Sequence, residues 1–106
     1  MNSSLKVAAI LCLAASIITP AYAQTSGADI YKAKCLMCHG PDGMANNPAG
    51  KALKAKSFKD PEVVKASDAE LFAAVKNGKG KMPAENGKLT DAQIKEAIAY
   101  VRTLQK

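Results

Sequence analysis

The feature that most constrains this chain is a pair of cysteines, three positions apart, with the chain's single histidine directly behind them. The segment reads Cys35-Leu36-Met37-Cys38-His39. On a helix, thiols with this spacing lie about one turn apart and face the same side. In an exported protein the C-x-x-C-H spacing indicates covalent haem attachment. Each thiol can add to a haem vinyl group, and the imidazole that follows then lies beneath the iron.

Three other uses of the motif are weaker. A redox dithiol has no need of His39 as an iron ligand, and it favours a βαβ setting that this helical sequence lacks. A structural zinc site needs about four ligands, so carboxylates would have to complete it. A disulfide between Cys35 and Cys38 would close a very small loop and stabilise little. Attachment of one haem c through Cys35 and Cys38, with His39 as an axial iron ligand, is the favoured interpretation.

The amino-terminal segment predicts export. Lys6 precedes an apolar run over residues 7–18, and small residues end the segment at Ala23. A positive start, an apolar stretch shorter than a membrane span and a small-x-small end are typical of a secretory signal peptide. We therefore expect residues 1–23 to be cleaved, leaving residues 24–106 in a bacterial periplasm or an equivalent lumen, with no permanent membrane anchor.

The expected mature domain is small for a stable apolar core. A chain of about 80 residues has a marginal core of its own, and small exported domains usually add disulfides or a metal. This chain has no tryptophan, and only two cysteines, Cys35 and Cys38, remain after the expected cleavage. A large, flat, apolar cofactor would fill the centre of such a domain.

The sequence pattern predicts helices and no strand. A helical pattern runs over residues 28–38, and Asp60 can cap a short helix that begins at Pro61. Capping boxes are expected at residues 67–70 and 90–93. The last helix has one broad apolar stripe, formed by Ile94, Ala97, Ile98, Val101 and Leu104. With residues 44–59 and 78–89 interpreted as loops, we expect an all-α fold of about four helices wrapped around one covalently bound haem.

The iron needs a second axial ligand, and there is no second histidine. Three methionines follow the expected cleavage site: Met37, Met44 and Met82. Met37 lies inside the attachment segment, and Met44 is only five residues beyond His39. Met82 lies in a flexible loop between two helices, where its thioether can reach the other face of the haem. Methionine is more often core filler, but Met82 is the predicted second ligand, giving the His/Met set known from cytochromes c.

Beyond the C-x-x-C-H segment, several other residues resemble those of the small class I c-type cytochromes, especially the short bacterial and photosynthetic soluble carriers. They are Gly27, Tyr31, the Met82-Pro83 pair, Leu89-Thr90-Asp91 and the segment 98–101. The resemblance implies that the first and last helices cross near right angles, with Gly27 letting Tyr100 approach closely. It also implies that a backbone carbonyl accepts a hydrogen bond from His39, and we expect this carbonyl near Asn47-Pro48.

These expectations favour a one-electron carrier over an enzyme. With both axial positions filled, the iron has no open site for a substrate. If Met82 is not a ligand, the alternative is a five-coordinate haem protein that binds a gas or a peroxide. A third possibility is a haem subunit of a larger dehydrogenase or oxidase.

Basic residues predict the kind of partner. Removing Lys6 with the signal peptide lowers the formal net charge from +6 to +5. Lys76, Lys79, Lys81 and Lys88 flank Met82 with only Glu85 opposing them. We expect redox partners with acidic docking faces, because electrostatic steering by opposite charges speeds short encounters. We also expect a monomer that does not bind nucleic acid.

Overall fold

The computed structural model describes residues 26–106, so the expected signal peptide lies outside the described residues. This part of the chain contains six helices: α1 Gly27–Lys34, α2 Leu36–His39, α3 Pro48–Ala52, α4 Pro61–Lys65, α5 Asp68–Asn77 and α6 Asp91–Leu104. Its only β-type pairings are two isolated bridges, Lys79–Met82 and Asn86–Leu89. The all-α expectation is confirmed, with two short helices more than the predicted four. No helix within residues 26–106 is long and apolar enough to cross a membrane.

Side-chain caps decide where the helices begin. The Ser26 hydroxyl accepts a hydrogen bond from the Asp29 N–H at 3.2 Å and starts α1. Asp60 caps α4 as predicted, with Pro61 in the first turn. Thr90 and Gln93 form the full capping box that opens α6. Ser67 accepts a hydrogen bond from the Glu70 N–H at 3.1 Å, but the return bond from the Glu70 side chain is missing, so the box predicted there is only half formed.

Two local predictions are wrong. The helical pattern over residues 28–38 is interrupted at Cys35, which ends α1 with φ −116° and ψ −34° before α2 begins. The segment predicted as a loop over residues 44–59 contains α3. Asn47 caps this helix by accepting a hydrogen bond from the Gly50 N–H at 3.3 Å. The Asn47-Pro48 pair begins this helix, because proline is well suited to the first helical position.

Helices α1 and α6 pack closely at a glycine. A side chain at Gly27 would overlap the carbonyl of Glu96 and place its Cβ 3.1 Å from the Tyr100 Cβ. The close approach of Tyr100 at Gly27 is therefore confirmed. Beside this contact Tyr31 is 1% exposed, and its ring centroid lies 5.2 Å from that of Tyr100. The core around the crossing consists of Ile30, Tyr31, Ala45, Ile94, Ala97 and Ile98.

The far end of α6 is tied to the connection between α4 and α5 by Arg102. Its guanidinium donates to the Asp68 carboxylate at 3.0 Å, to the Val63 carbonyl at 3.3 Å and to the Ala66 carbonyl at 2.5 Å. Charge-assisted bonds of this kind are stronger than neutral ones. They hold α5 beside α6, and these two helices supply most of the walls of the cleft described next.

Candidate haem site

Three of the four predicted site residues line one cleft. Cys35 lies between α1 and α2, His39 ends α2, and Met82 comes from the loop before α6. The cleft contains about 510 Å³ of space not filled by protein atoms, including its open mouth. Cys38 is half-buried one turn after Cys35 and is not among the lining residues. The rest of the lining is apolar: Phe58, Leu71, Ala74, Val75, Ala97, Ile98 and Val101.

The large apolar residues of α5 do not all face the cleft. Leu71 and Val75 line the cleft. Phe72 instead lines a separate groove between α5 and α6, together with Lys95 and Ile98. Its ring centroid lies 5.6 Å from the Lys76 ammonium.

The orientation of His39 is set by a backbone carbonyl. The Nδ1 atom of His39 lies 3.2 Å from the carbonyl oxygen of Lys56. A carbonyl can only accept a hydrogen bond, so this contact assigns the proton to Nδ1 and leaves Nε2 with its lone pair free. The expectation that the carbonyl lies near Asn47-Pro48 is wrong. The Asn47 side chain instead donates to the Met37 carbonyl at 2.5 Å and caps α3.

An aromatic ring fixes the other side of the imidazole. Phe58 stacks on His39, with ring centroids 4.5 Å apart and planes inclined by 20°. Burial lowers the pKa of His39, and the hydrogen bond to the Lys56 carbonyl opposes this only in part. The imidazole is therefore held neutral, which is the form that binds a metal. Sequence reasoning missed both residues; the isolated aromatic at position 58 was a usable signal, whereas a backbone carbonyl gives none.

The state of the two cysteines argues against the competing uses of the motif. Cys35 and Cys38 are free thiols. Burial, then the carboxylate of Glu85 and the Cys38 thiol, raise the pKa of Cys35 to about 11. Redox-active cysteines have lowered pKa values, so Cys35 has the opposite character. Across residues 26–106, no three His, Cys, Asp or Glu side chains converge on a possible metal position, so the zinc alternative has no ligand cluster.

Met82 lies in a loop that is braced by its own backbone. Lys79 and Met82 exchange two hydrogen bonds, with N–O distances of 3.1 and 2.9 Å. The Glu85 N–H donates to the Val75 carbonyl at 3.0 Å, which joins the loop to α5. The sequence analysis described this loop as flexible, whereas these bonds hold Met82 at the cleft. The other two methionines, Met37 and Met44, are 78% and 39% exposed and do not line the cleft.

The donor set fits a covalently attached haem. Two thiols one turn apart are available for thioether bonds, and an imidazole with its outer nitrogen already bonded can bind iron through the inner one. A thioether reaches the same cleft from another part of the chain, and the lining is apolar. A small helical domain with these groups at one apolar cleft defines a haem protein of the c type.

Comparison with known proteins specifies the family. Residues 23–101 match the family described as cytochrome C oxidase, cbb3-type, subunit III. The chain is 36% identical to a cytochrome c6 of a Synechococcus species, over 87% of this chain and 81% of the relative. The chain belongs to the class I c-type cytochromes, and its cofactor is a covalently bound haem c with its iron.

Two further matches differ in how much of the relative they cover. The solved structure of KustC0563 c-type cytochrome aligns with a TM-score of 0.70 and 31% identity, over 76% of this chain and 99% of that one. The cbb3-type cytochrome c oxidase subunit FixP of Azorhizobium caulinodans is 34% identical over 77% of this chain, but this covers only 27% of FixP. The domain described here therefore resembles both a whole small cytochrome and one part of a larger protein.

Proposed function

We propose that this protein is a soluble one-electron carrier in which Cys35 and Cys38 hold the haem by thioether bonds and His39 and Met82 are the axial iron ligands. One observation carries the proposal: a single apolar cleft receives Cys35, His39 and Met82 from two separate chain segments. The bound haem supplies the one-electron chemistry, and the protein supplies the ligands and their surroundings.

The protein groups around the cleft suit electron transfer with little rearrangement. The Lys56 carbonyl and the Phe58 ring hold the His39 imidazole in one orientation. The two backbone hydrogen bonds between Lys79 and Met82 fix the backbone from which the Met82 thioether extends. The apolar lining excludes water from the cleft. Because both axial positions are taken in this proposal, no substrate has access to the iron and the protein is a carrier rather than an enzyme.

The test replaces one methionine at a time. Met82→Ala should remove the iron–methionine charge-transfer band, lower the reduction potential and allow carbon monoxide or cyanide to bind. The potential falls because the soft thioether favours ferrous iron. Met44→Ala is the matched control and should change none of these properties.

Two outcomes would contradict the ligand assignment. The spectral change could follow Met44→Ala instead of Met82→Ala, which would exchange the roles of the two methionines. The wild-type protein could also bind carbon monoxide at once, which would support the five-coordinate, gas-binding alternative.

The proposal includes export to a periplasm or an equivalent lumen. It rests on the segment pattern of Lys6, the apolar run over residues 7–18 and the small residue Ala23. Intact mass of the purified protein should correspond to a chain that begins at Gln24 and carries one haem. A chain that retains residues 1–23 would reject the cleavage, and acid–organic extraction of free haem would reject the thioether bonds.

A second candidate function is a haem subunit of a larger oxidase. The family match is described as a subunit of a cbb3-type oxidase. The match to FixP covers only 27% of that relative. Purification from the native membrane fraction and soluble fraction distinguishes the two. A fixed ratio to one large partner favours a subunit, and recovery as a free monomer favours the carrier.

We also propose a docking surface for redox partners beside Met82. Lys79, Lys81 and Lys88 are exposed, and we refer to them as the distal lysine patch. Lys76 does not belong to it, because its ammonium pairs with the Asp91 carboxylate at 3.1 Å. The one acidic residue of the loop, Glu85, is only 7% exposed. The patch thus presents uncompensated positive charge, which supports docking to an acidic face of a redox partner.

A further inference from the structure

Glu85 is buried without a compensating partner. It is 7% exposed, and within residues 26–106 it is the only buried charged residue. Its Oε2 atom has no hydrogen-bond partner in this part of the chain. A buried carboxyl oxygen without a hydrogen-bond partner costs free energy. A residue retained at such a cost is expected to have a role that its neighbours do not supply.

The backbone contacts of Glu85 do not explain the side chain. Its N–H donates to the Val75 carbonyl, and its own carbonyl accepts from the N–H groups of Lys88 and Leu89 at 2.9 Å each. Any residue other than proline would supply the same three bonds. The carboxylate therefore adds nothing to the anchoring of the loop.

Among the described residues 26–106, no cation pairs with this carboxylate. None of the three ion pairs within residues 26–106 includes Glu85. On the adjacent helix α5, the Lys76 ammonium is engaged with Asp91. The loop lysines Lys79, Lys81 and Lys88 are exposed to water. A charge on Glu85 thus acts on its surroundings without local cancellation.

The surroundings of Glu85 belong to the haem cleft. Val75, which binds the Glu85 N–H, lines the cleft with Cys35 and Met82. The Glu85 carboxylate also contributes to the raised pKa of the Cys35 thiol. The electrostatic field of Glu85 therefore reaches the attachment cysteine.

We propose that Glu85 is an electrostatic determinant of the haem reduction potential, its buried carboxylate favouring the ferric form and lowering the potential. The inference rests on the proposed function, because it places the haem at Cys35. Oxidised iron carries one more positive charge than reduced iron, so a nearby anion stabilises it. At an effective dielectric constant of about 20, a unit charge roughly 10 Å from a one-electron centre shifts its equilibrium about tenfold.

The experiment measures reduction potentials of the haem-loaded proteins at pH 7. Glu85→Gln should shift the equilibrium about tenfold toward the ferrous form, which equals about 59 mV for one electron. Glu85→Asp keeps the charge and should retain most of the wild-type potential. Glu70→Gln is the matched control, because Glu70 is an exposed acid on α5. Its effect should stay below about twofold, since water screens exposed charges.

Salt dependence separates a buried charge from a surface charge. The difference between wild type and Glu85→Gln should persist when ionic strength rises from about 0.01 M to about 0.5 M, because buried charges are screened much less. Glu85→Leu provides a second neutral variant that also removes the unpaired polar group. This variant should shift the equilibrium toward the ferrous form by a similar factor, and its denaturant concentration at half-unfolding should be higher than that of the wild type.

The outcomes separate this inference from the function it rests on. In each variant, retention of haem under denaturing conditions and the iron–methionine charge-transfer band show that the proposed ligation holds. If both persist while the Gln and Leu variants leave the potential unchanged or lower it, the role of Glu85 is rejected. If both are absent from the wild-type protein, the proposed function is rejected, and the inference about Glu85 with it.

Discussion

At the scale of single residues, Tyr31 links the core to the attachment segment. Its hydroxyl donates to the Gly40 carbonyl at 2.5 Å, directly after His39. Its ring meets Phe58 edge-on at a centroid distance of 6.0 Å, and Phe58 in turn stacks on His39. The residue next to the attachment segment is thereby fixed by a buried hydrogen bond, and the imidazole is fixed by a chain of aromatic contacts.

Removing the Tyr31 hydroxyl should weaken the fold at neutral pH and much less at high pH. Tyr31→Phe leaves the Gly40 carbonyl without this donor, which costs about 1–2 kcal/mol of unfolding free energy at pH 7. Burial raises the pKa of Tyr31 well above its ordinary value of 10.0.

The sign of the pH effect follows from this raised pKa. Above pH 10 the unfolded tyrosine loses its proton while the folded one keeps it, so the wild type loses about 1.4 kcal/mol per pH unit. The phenylalanine variant has no such loss at this position. Denaturant unfolding of both haem-loaded proteins should show a smaller difference in unfolding free energy at pH 11 than at pH 7. A difference of equal size at both pH values would contradict the shifted pKa.

At the scale of elements, the contact between α1 and α6 organises the domain. The N-terminus of α1 lies against α6 at Gly27, and the C-terminal end of α6 is bound by Arg102 to the α4–α5 connection. Helix α6 therefore contacts elements from both halves of the described chain. Ile94, Ala97 and Ile98 are its buried residues, and the last two also line the cleft.

Adding one methyl group at Gly27 should separate the two helices. Gly27→Ala forces a Cβ into the Glu96 carbonyl, and overpacking of this kind costs about 1–3 kcal/mol. The higher helix propensity of alanine offsets up to about 1 kcal/mol of this loss. We expect a net decrease in unfolding free energy of about 1–2 kcal/mol by denaturant titration.

The neighbouring exposed residue Ala28 offers a control. Ala28→Ser should change the unfolding free energy by less than about 0.5 kcal/mol, as surface substitutions usually do. A Gly27→Ala protein as stable as the wild type would show that the helices can move apart without cost, against the packing described here.

At the scale of the whole molecule, exposed lysines lie beyond both ends of α6. The distal lysine patch lies at the N-terminal end of this helix, because the loop that carries it leads into α6. With 14 residues, α6 is about 21 Å long. This exceeds the screening length of about 10 Å at 0.1 M salt, so charges at the two ends act independently on an approaching partner.

Reversing charge in the distal lysine patch should slow electron transfer to anionic partners. Lys79→Glu with Lys81→Glu should lower the second-order rate constant with ferricyanide at least tenfold at low ionic strength, because steering is lost. With a cationic cobalt(III) complex the same variant should react faster. In both cases the difference should shrink as salt is added, and the absorption spectrum should stay unchanged.

A matched charge reversal at the other end of α6 serves as the control. Lys65→Glu with Lys106→Glu changes the net charge by the same amount at exposed positions. If this pair altered the rates as strongly as the patch variant, net charge alone would govern association and the patch would have no special role.

Local features of the sequence were enough to predict the all-α class and most helix starts, and to select the candidate site residues. Capping side chains and the C-x-x-C-H spacing involve only three to five consecutive residues, so they can be recognised from the sequence alone. Met82 was found by elimination among three methionines, and its role as a ligand stays a prediction. The break at Cys35 and helix α3 were missed, because helix ends are decided by small differences between competing local bonds.

Packing over long chain separations decided the rest. The Lys56 carbonyl lies 17 residues from His39, and a backbone oxygen has no signature in the sequence. Glu85 was expected only to oppose the lysines that flank Met82, yet its side chain is buried and its backbone is bonded to Val75 of the cleft lining. The candidate haem-binding groups were thus predicted largely from local spacing, whereas the carbonyl and the ring that orient the imidazole, and the burial of Glu85, appear only when distant segments pack together.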